Sequence, residues 1–320
     1  MNNKVKIGII GCGNIVKLAH LPSLSSFEDV EICGVCDIDE NKLVEIKEKY
    51  KIVNTFNNYK EMIEKLALDA VYIALPPHII FDPAIDCLER KLNIFIEKPP
   101  GICKEQTRQM ALKSEKFGCI TMVGFQRRFS PLTLKVKELV ERNGPVILCI
   151  VRFIKFFNDE TPYFRGAIDL LTSDIIHAVD CLRWIGGEVK KVSSLIKKWY
   201  KNYENNFNAI LEFESGATGL LVSNYIGGKR IFSIELHAKG ITAYVEPEKI
   251  ATIFMNGKEE CISLKSEEIV GSTDFYKIAG FYNENRHFID CLKQKKQPLT
   301  NLTDALKTME LIEKIYYERL

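Results

Sequence analysis

The chain has 320 residues, more than a single hydrophobic core usually serves, so two domains are expected. Hydrophobic residues make up 46% and charged residues 27%, and 44 Lys and Arg against 42 Asp and Glu leave a net charge of +2, a balance that excludes a nucleic-acid footprint. The apolar run in the opening MNNKVKIGIIGCG is too short for a signal h-region or a membrane span, which points to a cytoplasmic protein that binds no membrane.

Up to residue 124, short Val- and Ile-rich runs alternate with amphipathic stretches. KVKIGIIG, VEICGVCD, AVYIAL, NIFIEK and CITMVGF have strand length, and NKLVEIKEKY and AIDCLERK between them read as helices. This order predicts an α/β domain with a parallel, doubly wound sheet. After Phe125 a helix over LTLKVKELVERNG leads into PVILCIVRFIKFF. From Val189 onward KVSSLIKKWY, NAILEFESGATGLLVSNYIGG, KRIFSIELHAKG, ITAYVE and ATIFMNG read as strands. Turns at Ser215-Gly216, Gly227-Gly228 and Asn256-Gly257 predict a large, mostly antiparallel open sheet in an α+β domain. Such a sheet needs covering, so association into a homodimer or homotetramer through it is expected. The divisions expected are 1–124, 125–300, and a C-terminal helix over 301–320, capped by Thr303, that packs back between the domains.

Ten scattered cysteines, most in apolar runs, read as small buried hydrophobes in a reducing compartment. Cys33 and Cys36 form a C-x-x-C, but on a strand their Cα atoms stand roughly 10 Å apart, too far for a disulfide.

The turn in IGIIGCGNIVKLAH carries dinucleotide chemistry. Gly11 permits the sharp bend after the first strand, and Gly13 lets the backbone approach a pyrophosphate at the helix N-terminus. Cys12, Asn14 and Ile15 complete that cofactor-binding turn. Asp37 ends the second strand, where a carboxylate accepts hydrogen bonds from the adenosine ribose hydroxyls. Its repulsion of a 2′-phosphate selects NAD over NADP. Val16 replaces the third glycine of the pattern, so the helix is expected to sit slightly further from the strand. Further on, the strand in IFIEKPPG ends in Glu97, Lys98 and two prolines. Pro99 pushes Lys98 toward an extended backbone, so Glu97 and Lys98 point to opposite faces and need separate partners.

These stretches, together with DAVYIALPPH, VGFQRRFSP, IIHAVDCLRWIGG and FIDCLKQKKQPLTNLTDALKTMELIEKI, resemble the Gfo/Idh/MocA family of glucose-fructose oxidoreductase and inositol dehydrogenase. The resemblance implies a Rossmann domain, then an α/β substrate domain, and NAD(P)-dependent hydride transfer with a secondary alcohol of a sugar, cyclitol or sugar derivative. Lys98 resembles the family's active-site lysine, which stabilises the developing alkoxide. Glu97 positions the loop or the nicotinamide ribose, and Leu75, Pro76, Pro77 and His78 form the loop passing that ribose. His177 resembles the catalytic-site histidine that takes the hydroxyl proton, and Asp180 the acid after it. Asp174, three residues before His177 on a helix, stands near the same face. Tyr163 and Arg165 in PYFRG resemble an aromatic-Arg pair that binds substrate.

Departures are Ser173 where many relatives have Asp, and LPPHII where many have T-P-N-x-x-H. Arg127 and Arg128, at the domain crossover, are read as interdomain ion-pair residues. No His/Cys cluster completes a metal site. Two other readings carry different outcomes: an NAD-dependent glycoside hydrolase of the same family, which releases sugar without net NADH, and a non-catalytic dinucleotide-binding regulator.

Overall fold

The computed structural model describes residues 4–320, which form two compact units. One runs to Phe125 and takes up Phe281–Leu306; the other comprises Gln126–Gly280 and Lys307–Leu320.

The first unit is built on strands β1 (Val5–Ile10), β2 (Val30–Cys36), β3 (Thr55–Phe56), β4 (Ala70–Ile73), β5 (Asn93–Glu97) and β6 (Thr121–Gly124). Their order is β3-β2-β1-β4-β5-β6 and every neighbouring pair is parallel. A parallel sheet is covered on both faces, which is why β4 reads AVYI without a polar break and is wholly buried. The strand order reverses between β1 and β4, so the crevice at the carboxyl ends of the strands is the ligand position for this topology. β3 is only two residues long, too short for its pattern to show in the sequence.

Residues 281–300, expected in the second domain, and 301–306, expected in the C-terminal helix, group with the first unit. Phe288 and Ile289 of the helix Phe281–Gln294 are fully buried. Arg286 donates both guanidinium nitrogens to Asp29 (2.8 and 3.2 Å) and Lys293 adds a bond of 2.6 Å. The Arg286 hydrogen bond, then that from Lys293, hold the Asp29 carboxyl well below its usual range. Thr300 closes the edge of β6, accepting from the Val123 N–H and donating its hydroxyl to the Val123 carbonyl, both at 2.8 Å.

The second unit carries an eight-stranded sheet of β7 (Leu148–Phe156), β8 (Val189–Lys197), β9 (Asn206–Phe213), β10 (Thr218–Asn224), β11 (Ile226–Ala238), β12 (Ile241–Glu246), β13 (Ile250–Met255) and β14 (Cys261–Lys265). The order is β14-β13-β12-β11-β7-β10-β9-β8, antiparallel throughout except where β10 pairs with β7. Gly227-Gly228 is not a turn: β11 runs through it, and the register with β7 shifts between Ile226 and Ile231. Alternation decides the faces. The helices Pro131–Glu141 and Ile176–Gly186 pack on one side of the sheet. Leu195, Ile210 and Tyr244 stand out on the other, each about half exposed beside buried neighbours. Among the described residues no helix is long and apolar enough to cross a membrane.

Candidate active site

Four loops at the carboxyl ends of the parallel strands carry the predicted cofactor residues. After β1, Gly11 has φ +92°, and a Cβ there would lie 2.3 Å from the Ala74 carbonyl, so only glycine fits the bend. A Cβ at Gly13 would meet nothing within 4 Å, which leaves room for a pyrophosphate to approach the backbone. Asn14 is exposed and Ile15 half-buried; Val16 is buried in a π turn, Val16–His20, which continues as the helix Leu21–Ser25. A turn wider than an α-helical one thus stands where the glycine pattern breaks.

Asp37 ties this turn to the end of β2. One carboxylate oxygen accepts from the Cys12 N–H at 2.7 Å, the other from the Asp39 N–H at 2.9 Å, and Lys42 Nζ lies 3.7 Å away. Each carboxylate oxygen has two acceptor sites, so capacity for ribose hydroxyls remains. The Cys12 amide is committed to Asp37, and its thiol, wholly buried, is pushed up to about 12 by burial with Asp37 adding to it. Cys12 therefore shapes the turn without chemistry of its own. Burial likewise raises Cys33 and Cys36 to about 11, and both are free thiols. After β4, Leu75 and Pro76 are half-buried and Pro77 buried, while His78 is exposed on a short 3-10 turn, Pro77–Ile79.

Glu97 closes β5 and Lys98 follows it. The Lys98-Pro99 bond is cis. Lys98 is half-buried, and Glu97 points into the protein, with its side chain 12% exposed. Glu97 Oε1 lies 2.8 Å from His20 Nε2, and Oε2 accepts from the Lys98 N–H at 3.2 Å. β6 leaves space for this carboxylate, because a Cβ on Gly124 would come within 3.1 Å of Oε1. His20 was not singled out from the sequence; its role shows only once β5 is laid beside the first helix.

In the second unit, Asp174 and His177 flank a junction that sequence periodicity does not reveal. A π turn, Leu171–Ile175, precedes the helix Ile176–Gly186, so the step from Asp174 to His177 is not that of a regular helix. Asp174 Oδ2 takes three donors: Lys155 Nζ, the Tyr225 hydroxyl at 2.8 Å and the Tyr163 hydroxyl at 3.1 Å. The Lys155 ammonium also lies over the rings of Phe153, Tyr163 and Tyr225 at 5.2–5.8 Å. Burial, and then the Asp174 charge, hold both phenols well above their usual range, so they remain donors. His177 is buried.

Lys155 and Tyr225 were missed in the sequence. Lys155 shares the parity of buried Val151 and Phe153 on β7, and a cation at an inward-facing strand position was the available signal.

One expectation needs correction, the interdomain pairing of Arg127 and Arg128. Asp180 is held by three hydrogen bonds: Arg128 Nε donates to it at 2.7 Å, Arg128 Nη2 to its other oxygen, and the Thr308 hydroxyl at 3.0 Å. Arg128 therefore pairs within the second unit, as does Arg127, whose guanidinium stacks on Phe232 at 3.6 Å with Glu248 3.4 Å away. Arg165 is exposed, and both it and Phe164 adopt left-handed backbone, a conformation costing roughly 1–2 kcal/mol per residue. Of the aromatic-Arg pair, only Tyr163 touches Asp174.

Both units find matches among known proteins. Residues 5–125 match the model of an oxidoreductase family with an NAD-binding Rossmann fold, and residues 134–240 match the GFO/IDH/MocA C-terminal domain. Myo-inositol 2-dehydrogenase of Thermotoga maritima is 30% identical over 68% of this chain and 67% of its own. The chain belongs to the Gfo/Idh/MocA family of oxidoreductases. Its first unit is the family's NAD-binding domain, and the chain is an NAD(P)-dependent dehydrogenase. The fold is shared with a dehydrogenase from Chromobacterium violaceum (TM-score 0.89, 20% identity, 98% of this chain and 95% of that one). It is also shared with levoglucosan dehydrogenase solved with NADH and levoglucosan (TM-score 0.87, 16% identity, 99% and 97%).

Proposed function

We propose that this Gfo/Idh/MocA protein oxidises a secondary alcohol of a cyclic polyol, a sugar or cyclitol, with NAD as hydride acceptor. The observation that carries the reading is Lys98, presented at the carboxyl end of β5 beside a Glu97 whose carboxylate is held inside the protein. Gly11, Gly13, Asn14 and Ile15 would hold the pyrophosphate, Asp37 the adenosine ribose, and the loop Leu75 to His78 the nicotinamide ribose. When bound, NAD supplies the carbon that takes the hydride.

The chain's own residues do the rest. The Lys98 ammonium donates to the substrate oxygen and stabilises it as negative charge develops. His177 accepts the hydroxyl proton, and Asp174, fixed by Lys155 and Tyr225, orders the second unit's polar groups around it. The relatives named for myo-inositol and levoglucosan support a cyclic polyol as the substrate class.

Incubation with inositols, hexoses, amino sugars and their glycosides, following NADH absorbance, tests the reading. Reduced coenzyme should form with at least one free polyol, NADH from NAD faster than NADPH from NADP. Sugar released from a glycoside without net NADH would replace the reading by a hydrolase, and NADH binding with no turnover anywhere would replace it by a regulator.

We further propose that two copies meet through the open sheet face bearing Leu195, Ile210 and Tyr244. Sedimentation should give a dimer or tetramer, and Ile210→Glu should shift it to the monomer mass; a wild-type monomer at micromolar concentration removes the proposal. The ten free thiols fit a reducing, cytoplasmic setting.

A further inference from the structure

Behind Lys98 lies a buried polar chain that the proposed chemistry does not yet use. His20 is wholly buried, its ring met edge-on by Tyr72 at 5.5 Å, Phe95 at 5.1 Å and Phe281 at 5.8 Å. Nε2 faces Glu97 Oε1 at 2.8 Å, and Nδ1 lies 3.1 Å from the side-chain amide of Asn285, itself wholly buried in the helix Phe281–Gln294. Residues 20, 97 and 285, distant in sequence, thus form one line within the first unit.

The proton inventory of this line fixes its chemistry. An ionised carboxylate only accepts, so the ring proton of a neutral His20 must sit on Nε2. Nδ1 is then an acceptor and needs a donor opposite it. With Asn285 Oδ1 on that side two acceptors would face each other, and Nδ2 would be buried with no hydrogen-bond partner. Turning the amide by 180° places an N–H against Nδ1 and leaves a buried carbonyl, a cheaper orphan than a buried NH₂. Donation then runs from Asn285 to His20 to Glu97.

The two donors to the Glu97 carboxylate are therefore the His20 ring, itself packed among aromatic rings, and the Lys98 N–H. A carboxylate there without the imidazole would have to take up a proton or swing out toward a cation, and the nearest in sequence is Lys98 itself.

We propose that His20 and Asn285 are positioning residues of the reaction: His20, donating from Nε2 and braced by the Asn285 amide, pins Glu97 in the interior so that Lys98 keeps its charge for the substrate oxygen. This rests on the proposed role of Lys98.

Three measurements test it. His20→Leu should lower kcat by about 30-fold or more while the NADH dissociation constant moves less than about threefold. His20→Gln, whose amide N–H can stand where Nε2–H stands, should recover most of that loss. In the Glu97→Gln background the His20→Leu substitution should cost less than about twofold, because the group it acts through is gone. Full kcat in His20→Leu, no rescue by Gln, or additive losses each overturn the proposal.

Long-range ¹⁵N–¹H spectra of the wild type judge the brace without any substrate. A proton on Nε2 with bare Nδ1 is expected, and a proton on Nδ1, alone or with one on Nε2, overturns it. Should His20→Leu fail to fold, Asn285→Leu and the same spectra decide the matter. If no substrate is turned over at all, the spectra still test the brace, while the role of Lys98 falls separately.

Discussion

Lys98→Met should lower kcat by about 10³-fold while NADH binding changes by less than about threefold. Methionine keeps the length and apolar stem of lysine and removes only the ammonium. The stem is half-buried at the end of β5, so packing is largely kept and stability should change little. The loss falls on the step in which the substrate oxygen gains negative charge, because a cation matters most there. Lys98→Arg should recover little, since a planar, wider guanidinium does not present a single point charge at the same place. Stopped-flow hydride transfer and equilibrium NADH titration separate the two quantities. A Lys98→Met enzyme with wild-type kcat on its true substrate removes the mechanism proposed for this chain.

His177→Ala should cost about 10² to 10⁴ in kcat/KM for alcohol oxidation, the range associated with one general base. The effect should carry a pH signature. An imidazole accepts a proton only in its neutral form, so wild-type oxidation should fall as the pH is lowered, and the variant should lose that acid limb. The neighbouring phenols do not blur the reading, since burial and Asp174 keep Tyr163 and Tyr225 protonated above the ordinary phenol range. A variant that is slower yet keeps the wild-type acid limb would show that another group titrates, and the base would have to be sought elsewhere.

The parts of the fold legible in the sequence were those where one local pattern decides the outcome. Strands buried on both faces appear as unbroken apolar runs, and the bend at Gly11 appears because no other residue survives a carbonyl 2.3 Å from its Cβ. The end of β5 at Glu97 was legible as the close of an apolar run. What could not be read depends on contacts between distant segments. Asn285 joins the first unit through a helix that shows only its own amphipathic period, with no sign of the sheet it packs on. Arg127 and Arg128 look like any exposed basic pair until Phe232, Glu248 and Asp180 are placed around them. The π turn before His177 inserts itself into a stretch whose hydrophobic spacing reads as ordinary helix. Gly227-Gly228 suggested a hairpin, but glycines also permit an irregularity inside a long strand, and that is their use in β11.

The bond from the Cys12 amide to Asp37 ties the carboxylate proposed to select the nucleotide to the integrity of the loop. Whoever tries to convert this dehydrogenase to the phosphorylated coenzyme by deleting the acid will also unfasten the glycine bend. A side chain that is uncharged but still accepts a hydrogen bond, serine or asparagine, is the replacement that changes the preference while leaving the loop anchored.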